Sequence, residues 1–219
     1  MSIRTEAIEL YNGAYNKLKD LSYYELEHIV LDNVGNIGLG FEYDGIKFGF
    51  AKASRNNVLS VCPFANPKLN TICIPIQPVF LEDSEFMSRE VIDSFCAYMN
   101  AMSEVVLHEI IHLLDARYNG IIDDYTSVKE KEKYYNSCSE RLAYSGEIVS
   151  CIERKGQFRY FLKMLDKRES VIKFIKRELR NSINIETFVH FIDVLTEENY
   201  EWFKKYVRDE YDERMSYVC

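Results

Sequence analysis

The segment His108-Glu109-Ile110-Ile111-His112 constrains this chain more than any other. Residues four apart share one face of an α-helix, so two imidazoles at this spacing converge on one point when the segment is helical. The flanks agree with a helix. Ala101-Met102-Ser103-Glu104-Val105-Val106-Leu107 leads in, Leu113-Leu114-Asp115-Ala116-Arg117 follows, and no Pro or Gly interrupts until Gly120. Such a pair can grip one metal ion from the same side. Glu109, about 100° round the helix from His108, is placed to reach a water on that ion rather than the ion itself. A random chain of this length contains H-E-x-x-H about once in a hundred, and two of only four histidines fall at this spacing. The competing reading is an amphipathic helix with one His buried and hydrogen-bonded and the other solvated. The chemistry expected is that of a zinc hydrolase.

Two histidines leave Zn2+ under-coordinated, because a catalytic site usually takes three protein ligands and a water. His28 and His190 are distant in sequence, and the continuation H-E-x-x-H-x-x-G-x-x-H is absent. A carboxylate from a second helix is therefore expected. Lys129 to Lys155 holds no Pro and one Gly and reads largely as helix. Within it, Glu140 and Glu147 lie seven apart on one face, with Ala143 and Tyr144 between them. Glu140 is preferred, since Glu140-Arg141-Leu142-Ala143 matches the E-x-x-A of the third-ligand helix in many two-His-one-Glu zinc peptidases. A small residue one turn after a ligand also lets two helices approach closely. Glu147 stays open, and a solvated helix charge is the ordinary fate of either.

His108 to Asp115, followed by Cys138-Ser139-Glu140, Ala143 and then Ser145-Gly146-Glu147, resembles the mitochondrial intermembrane-space metallopeptidase family that processes an ATP synthase subunit. The resemblance covers roughly Val105 to Cys151. It implies a zincin-like fold, His108 and His112 as ligands, Glu109 as the catalytic carboxylate and Glu140 as the residue that completes the site. The loop from Asn119 to Lys133 is longer than in that family, the Ser-Gly step falls nearer to Glu140, and the family's abundant cysteines are not recognisable. A more distant likeness is to bacterial toxin-type zinc peptidases, which also carry an Asp three residues after H-E-x-x-H. Both share the gluzincin pattern.

With one Zn2+ held by His108, His112 and Glu140, the expected reaction is hydrolysis of a peptide bond in a peptide or protein substrate. Zinc lowers the pKa of its water from about 16 to near 7, and Glu109 takes the proton and passes it to the departing amine. The tetrahedral oxyanion needs a donor; among sixteen tyrosines, Tyr144 and Tyr118 are candidates by proximity in sequence, with ordinary packing as the alternative. Asp115 could hold the other nitrogen of a ligand imidazole, cap a turn or pair with Arg117. The alternative function is a metal-binding, chaperone-like or partner-binding module with a peptidase fold and little turnover. Glu109 argues against it, because structural zinc needs no general base.

The formal charge of −8 excludes general nucleic-acid binding, which needs a dominant basic field. One local exception runs from Glu153 to Arg180, with ten Lys/Arg against four Asp/Glu, interleaved with apolar residues. A basic amphipathic segment of this kind either contacts an anionic membrane or a partner, or forms the solvated side of a core-packed helix; the acidic stretch Glu197 to Glu213 could neutralise it. No apolar run reaches the eighteen or so residues of a membrane helix, and Met1 to Asp20 does not read as a signal or transit peptide. A soluble cytosolic protein is the default expectation, whereas the family resemblance implies the intermembrane space. The six cysteines form no C-x-x-C pair. Cys138 and Cys151 would stand about 20 Å apart along one helix, and Cys62 and Cys73 could meet across a strand pair or remain buried thiols.

The 219 residues, 47% of them apolar, can bury a proper core and are read as one metallopeptidase domain. Its parts are a helix plus small sheet over 1–80, the active-site and third-ligand helices over 84–155, and a helical appendage over 156–219. Ile3 to Leu26 reads as helix. Alternation in Leu39 to Tyr43 and in Ile46 to Phe50 around Asp44-Gly45 predicts a hairpin. Shorter strands are expected near Val58 to Cys62 and over Thr71 to Ile76. Pro75 suggests that the latter is an edge strand with which an extended peptide could pair. Strands first and helices after predict an α+β fold, a small antiparallel or mixed sheet packed on the active-site helix and a helical C-terminal half.

Overall fold

Asp44 and Gly45 take φ values of 50° and 73°, the left-handed pair that a two-residue hairpin turn requires. They join β2 (Ile37–Tyr43) to β3 (Ile46–Lys52) in the register Tyr43↔Ile46, Phe41↔Phe48 and Leu39↔Phe50. The computed structural model describes residues 2–52, 62–76, 89–120 and 131–216. The contacts of the chain divide it into two compact units, Ile3–Ile122 and Asp123–Cys219 with Met1–Ser2.

In the first unit, three further strands complete a mixed sheet: β1 (Glu27–Val30), β4 (Phe64–Asn66) and β5 (Thr71–Ile76). The strand order is β1-β2-β3-β5-β4, with β3 and β5 parallel and the other pairs antiparallel. Thr71 to Ile76 is therefore a strand, as expected, but not an edge. It lies between β3 and β4, and all six of its residues are buried. Pro75 is tolerated because β4 pairs only with Thr71 to Cys73, so no ladder partner on that side meets Pro75 among the described residues. The strand expected near Val58 to Cys62 lies outside the described residues except for Cys62.

One face of the sheet carries Phe41, Phe48, Phe50, Ile72 and Ile74, all buried. The rings of Phe41 and Phe48 stack at 5.3 Å, and Phe50 stacks on Phe95 at 4.2 Å. Phe95 belongs to α2 (Arg89–Ala101), which is followed by α3 (Ser103–Asn119). On the opposite face, Gly40 and Gly49 sit side by side, leaving room for Ile29 and Leu31 to close over them as part of a small second cluster. The N-terminal helix α1 (Ile3–Asp20) buries Ala7, Leu10, Ala14 and Leu18 and packs on α2, α3 and β2. It ends six residues before Leu26, the limit expected from sequence, and a short 3-10 turn, Tyr23–Glu25, follows with Ser22 as its cap. The helix α3 packs against β4 and β5, so the sheet lies on the H-E-x-x-H helix.

The second unit is helical: α4 (Lys131–Tyr135), α5 (Cys138–Arg154), α6 (Phe158–Leu162), α7 (Arg168–Glu178), α8 (Ile185–Val194) and α9 (Glu197–Ser216). The helix read over Lys129 to Lys155 breaks after Tyr135. Ser137 is extended, and its hydroxyl accepts from the Glu140 N–H as the N-cap of α5. Asn136 fastens the break: its Nδ2 donates to the carbonyl of Val194, and its Oδ1 accepts from Thr196 N and Asn199 Nδ2. The core is rich in aromatic rings, with Phe158, Phe161, Phe174, Phe188, Phe191 and Phe203 buried together. In the basic stretch, Val171, Phe174 and Ile175 belong to this core, so the apolar side of α7 is covered within the unit. Its Arg168 meets Glu197 of the acidic stretch at 2.9 Å. No helix among the described residues is long and apolar enough to cross a membrane.

Candidate metal centre

The helix α3 runs unbroken through the motif and stops at Gly120, whose φ of 65° forms a left-handed C-cap, its N–H bonded to the Ala116 carbonyl. Helical spacing brings Nε2 of His108 and Nε2 of His112 to 3.0 Å from one another, with the ring planes at 73°. Both side chains are buried, at 5% and 4% exposure. The alternative of one buried and one solvated histidine is therefore not what the helix shows. Two nitrogens on a tetrahedral Zn2+ stand about 3.3 Å apart, given Zn–N bonds of about 2.0–2.1 Å. The observed separation is within a few tenths of an ångström of that value, and both rings aim the same nitrogen at one point. The pair fits a shared metal. Without one, it can share a single N–H···N bond in one tautomeric arrangement.

Glu109 is half-buried on the next face of α3. Its Oε2 accepts from the backbone N–H of Ala65 in β4 at 2.7 Å, a bond between residues 44 apart in sequence. A charge-assisted bond of this kind holds the carboxylate toward the rim of the sheet.

In the second unit, Glu140 occupies the first turn of α5 and is 1% exposed. The hydroxyl of Tyr134, in α4, hydrogen-bonds with the Glu140 carboxylate and with the Tyr144 hydroxyl. Burial, and next to it the Glu140 charge, push both phenols well above the usual tyrosine range, so both remain neutral donors. Tyr134 was not legible in the sequence. On one continuous helix, residues 134 and 140 point to different sides, and only the break at Asn136-Ser137 turns one toward the other. Glu147 is also fully buried, and its Oε1 accepts from Asn184 Nδ2 at 2.5 Å.

The supporting roles expected elsewhere are reassigned. Asp115 is buried, but its Oδ1 accepts from Asn119 Nδ2 at 2.6 Å, and its Oδ2 meets no hydrogen-bond donor among the described residues. It therefore braces the last turn of α3 rather than an imidazole. Tyr118 is exposed and donates its hydroxyl to the Glu6 carboxylate of α1, at 2.7 and 2.9 Å to the two oxygens. Its proton is thus engaged away from the histidines. The Tyr144 ring packs between Tyr135 and Phe191, each at 5.3 Å. His28 lies exposed on β1, and His190 of α8 meets the Tyr135 ring at 5.3 Å. Cys62 and Cys73 are not joined in a disulfide, nor are Cys96, Cys138 and Cys151 in one.

Comparison with protein-family models, curated proteins and solved structures finds no match.

Proposed function

We propose that this protein is a zinc-dependent endopeptidase of zincin-like fold, with His108, His112 and Glu140 as metal ligands and Glu109 as the general base. The observation that carries the reading is the convergence of two buried imidazole nitrogens at 3.0 Å, one residue from a carboxylate held toward the sheet rim. Two imidazoles with one carboxylate are a donor set that Zn2+ accepts. The likeness of 105–151 to the gluzincin pattern supports the same assignment.

Bound Zn2+ would supply Lewis acidity, polarising a substrate carbonyl and lowering the pKa of water. The remaining work falls to the chain. Oε2 of Glu109 is committed to the Ala65 N–H, so Oε1 is the atom assigned to proton transfer, first from water and then to the leaving amine. The Tyr134 hydroxyl engages the Glu140 carboxylate, as partners of metal ligands commonly do, while the Ser137 cap fixes only the backbone N–H of that residue. A peptide or protein is the proposed substrate.

The test measures zinc content and cleavage of an unfolded protein for the parent and for Glu109→Gln. The variant is expected to retain zinc and to lose hydrolysis, because Gln cannot take a proton. Zinc bound without cleavage by the parent would favour the metal-binding, chaperone-like module, and equal cleavage by both would refute the role given to Glu109.

A further inference from the structure

We infer that β4 is a donor-poor edge whose single outward N–H, that of Ala65, orients Glu109 and is withheld from the substrate backbone. This rests on the metallopeptidase reading. It starts from strand order: β4 is the outermost strand on its side of the sheet among the described residues. An antiparallel strand points the N–H and C=O of one residue to the same side and those of the next residue to the opposite side. The Ala65 N–H leaves the ladder for Oε2 of Glu109 at 2.7 Å. Position 65 therefore faces outward, and Phe64 and Asn66 face their partners Cys73 and Thr71 on β5.

The next outward positions are 63 and 67, and both are proline. Neither has an N–H to offer. Pro67 also starts a turn in which its carbonyl accepts from Asn70 N at 3.3 Å. An ordinary edge strand is a template for an extended peptide because it presents alternating donors and acceptors. This one presents acceptors alone, since two prolines remove the flanking donors and Glu109 engages the third. The strand nearest the general base thus serves as a brace. It ties the carboxylate of a helix to a backbone amide that β5 anchors, which restricts the carboxylate to one orientation.

The test replaces Ala65 by L-lactic acid in the full-length, zinc-loaded protein. The resulting backbone ester keeps the methyl side chain, deletes the N–H and weakens the Phe64 carbonyl as an acceptor. The expected result is a fall in kcat of about 10- to 100-fold, the worth of one hydrogen bond to a charged group, with KM and zinc affinity unchanged. A rise in KM at constant kcat would show that this N–H serves the substrate and would overturn the inference. A second measurement does not depend on turnover: amide hydrogen exchange at Ala65 should be slow in the parent and fast in Glu109→Ala. Equal exchange in the two overturns the brace. Absence of cleavage by the parent sinks the peptidase reading, while slow exchange released by Glu109→Ala still upholds the brace.

Discussion

Asn184 donates from Nδ2 to Oε1 of Glu147 at 2.5 Å, giving this buried carboxylate a partner within its own unit. Glu140, one face-repeat earlier on α5, is instead held by a phenol. The two acids should therefore respond differently to neutralisation. Glu140→Gln is expected to lower zinc affinity by more than the roughly 10- to 100-fold that loss of a supporting partner costs. Glu147→Gln keeps an acceptor for Asn184, should leave zinc affinity unchanged and should cost about 1 kcal/mol of stability. Zinc titration against a chromophoric chelator, with urea unfolding of each variant, separates them; the reverse pattern would make Glu147 the ligand.

Burial pushes the Cys73 thiol from 9.0 up to about 12, and the residue is fully buried in β5. Iodoacetamide at pH 8 should label Cys62 and Cys138, which are exposed, and spare Cys73; mass mapping of the native protein checks this. The sign for stability follows from proton counting. Between pH 9 and about 12 the unfolded chain has lost the thiol proton while the folded chain keeps it. The contribution of this thiol therefore falls as pH rises, by about 1.4 kcal/mol per unit. Urea midpoints of Cys73→Ala should decline less steeply in that window than those of the parent.

A Cβ on Gly40 would collide with the Phe48 carbonyl oxygen and approach the Ile29 methyl to 2.7 Å, whereas one on Gly45 meets nothing within 4 Å. Gly40→Ala should therefore destabilise the sheet by steric overlap, by about 1–3 kcal/mol or more. Gly45→Ala should cost about 1–2 kcal/mol through its left-handed φ alone. Denaturant melts of both variants measure the difference, and a neutral Gly40→Ala would contradict the close approach of β2 and β3.

Arg168 bonds to the Asp193 and Leu195 carbonyls, lies over the Tyr200 ring at 4.6 Å and meets Glu197 at 2.9 Å. Glu197 is 87% exposed, so its half of the pair contributes little. Glu197→Ala should fall within about 0.5 kcal/mol of the parent, while Arg168→Ala should cost about 1–3 kcal/mol through the unpaired carbonyls and the lost ring contact. Thermal unfolding of the two single variants distinguishes an ion pair from a joint between α7 and the turn before α9.

Legibility followed the range of the interactions. The Asp44-Gly45 turn, the strand Thr71 to Ile76 and the run of α3 to Gly120 were all readable, because each depends on residues within a few positions of one another. The end of α4 was readable in principle: Ser137 and Glu140 stand at the spacing of a helix start, and Ser137 caps α5. An unbroken run without Pro or Gly concealed it. The interior place of β5 was not legible. Pro75 suggested an edge, but the short β4 leaves that proline without a ladder partner on one side while still covering Thr71 to Cys73. Asp115 carried the spacing of an imidazole partner, yet Asn119, four residues on, captured it.

By itself the sequence determined that His108 and His112 face one point, because 3.6 residues per turn leave no other geometry once the segment is helical. It likewise determined the hairpin, through a backbone conformation that few residue pairs accept. Only the tertiary structure decided what surrounds those features: which strand lies beside Glu109, that its one outward N–H reaches that carboxylate across 44 residues of chain, and that Tyr134 turns toward Glu140. Such contacts arise from strand order and helix breaks, which depend on packing between distant segments, and local periodicity carries no record of them.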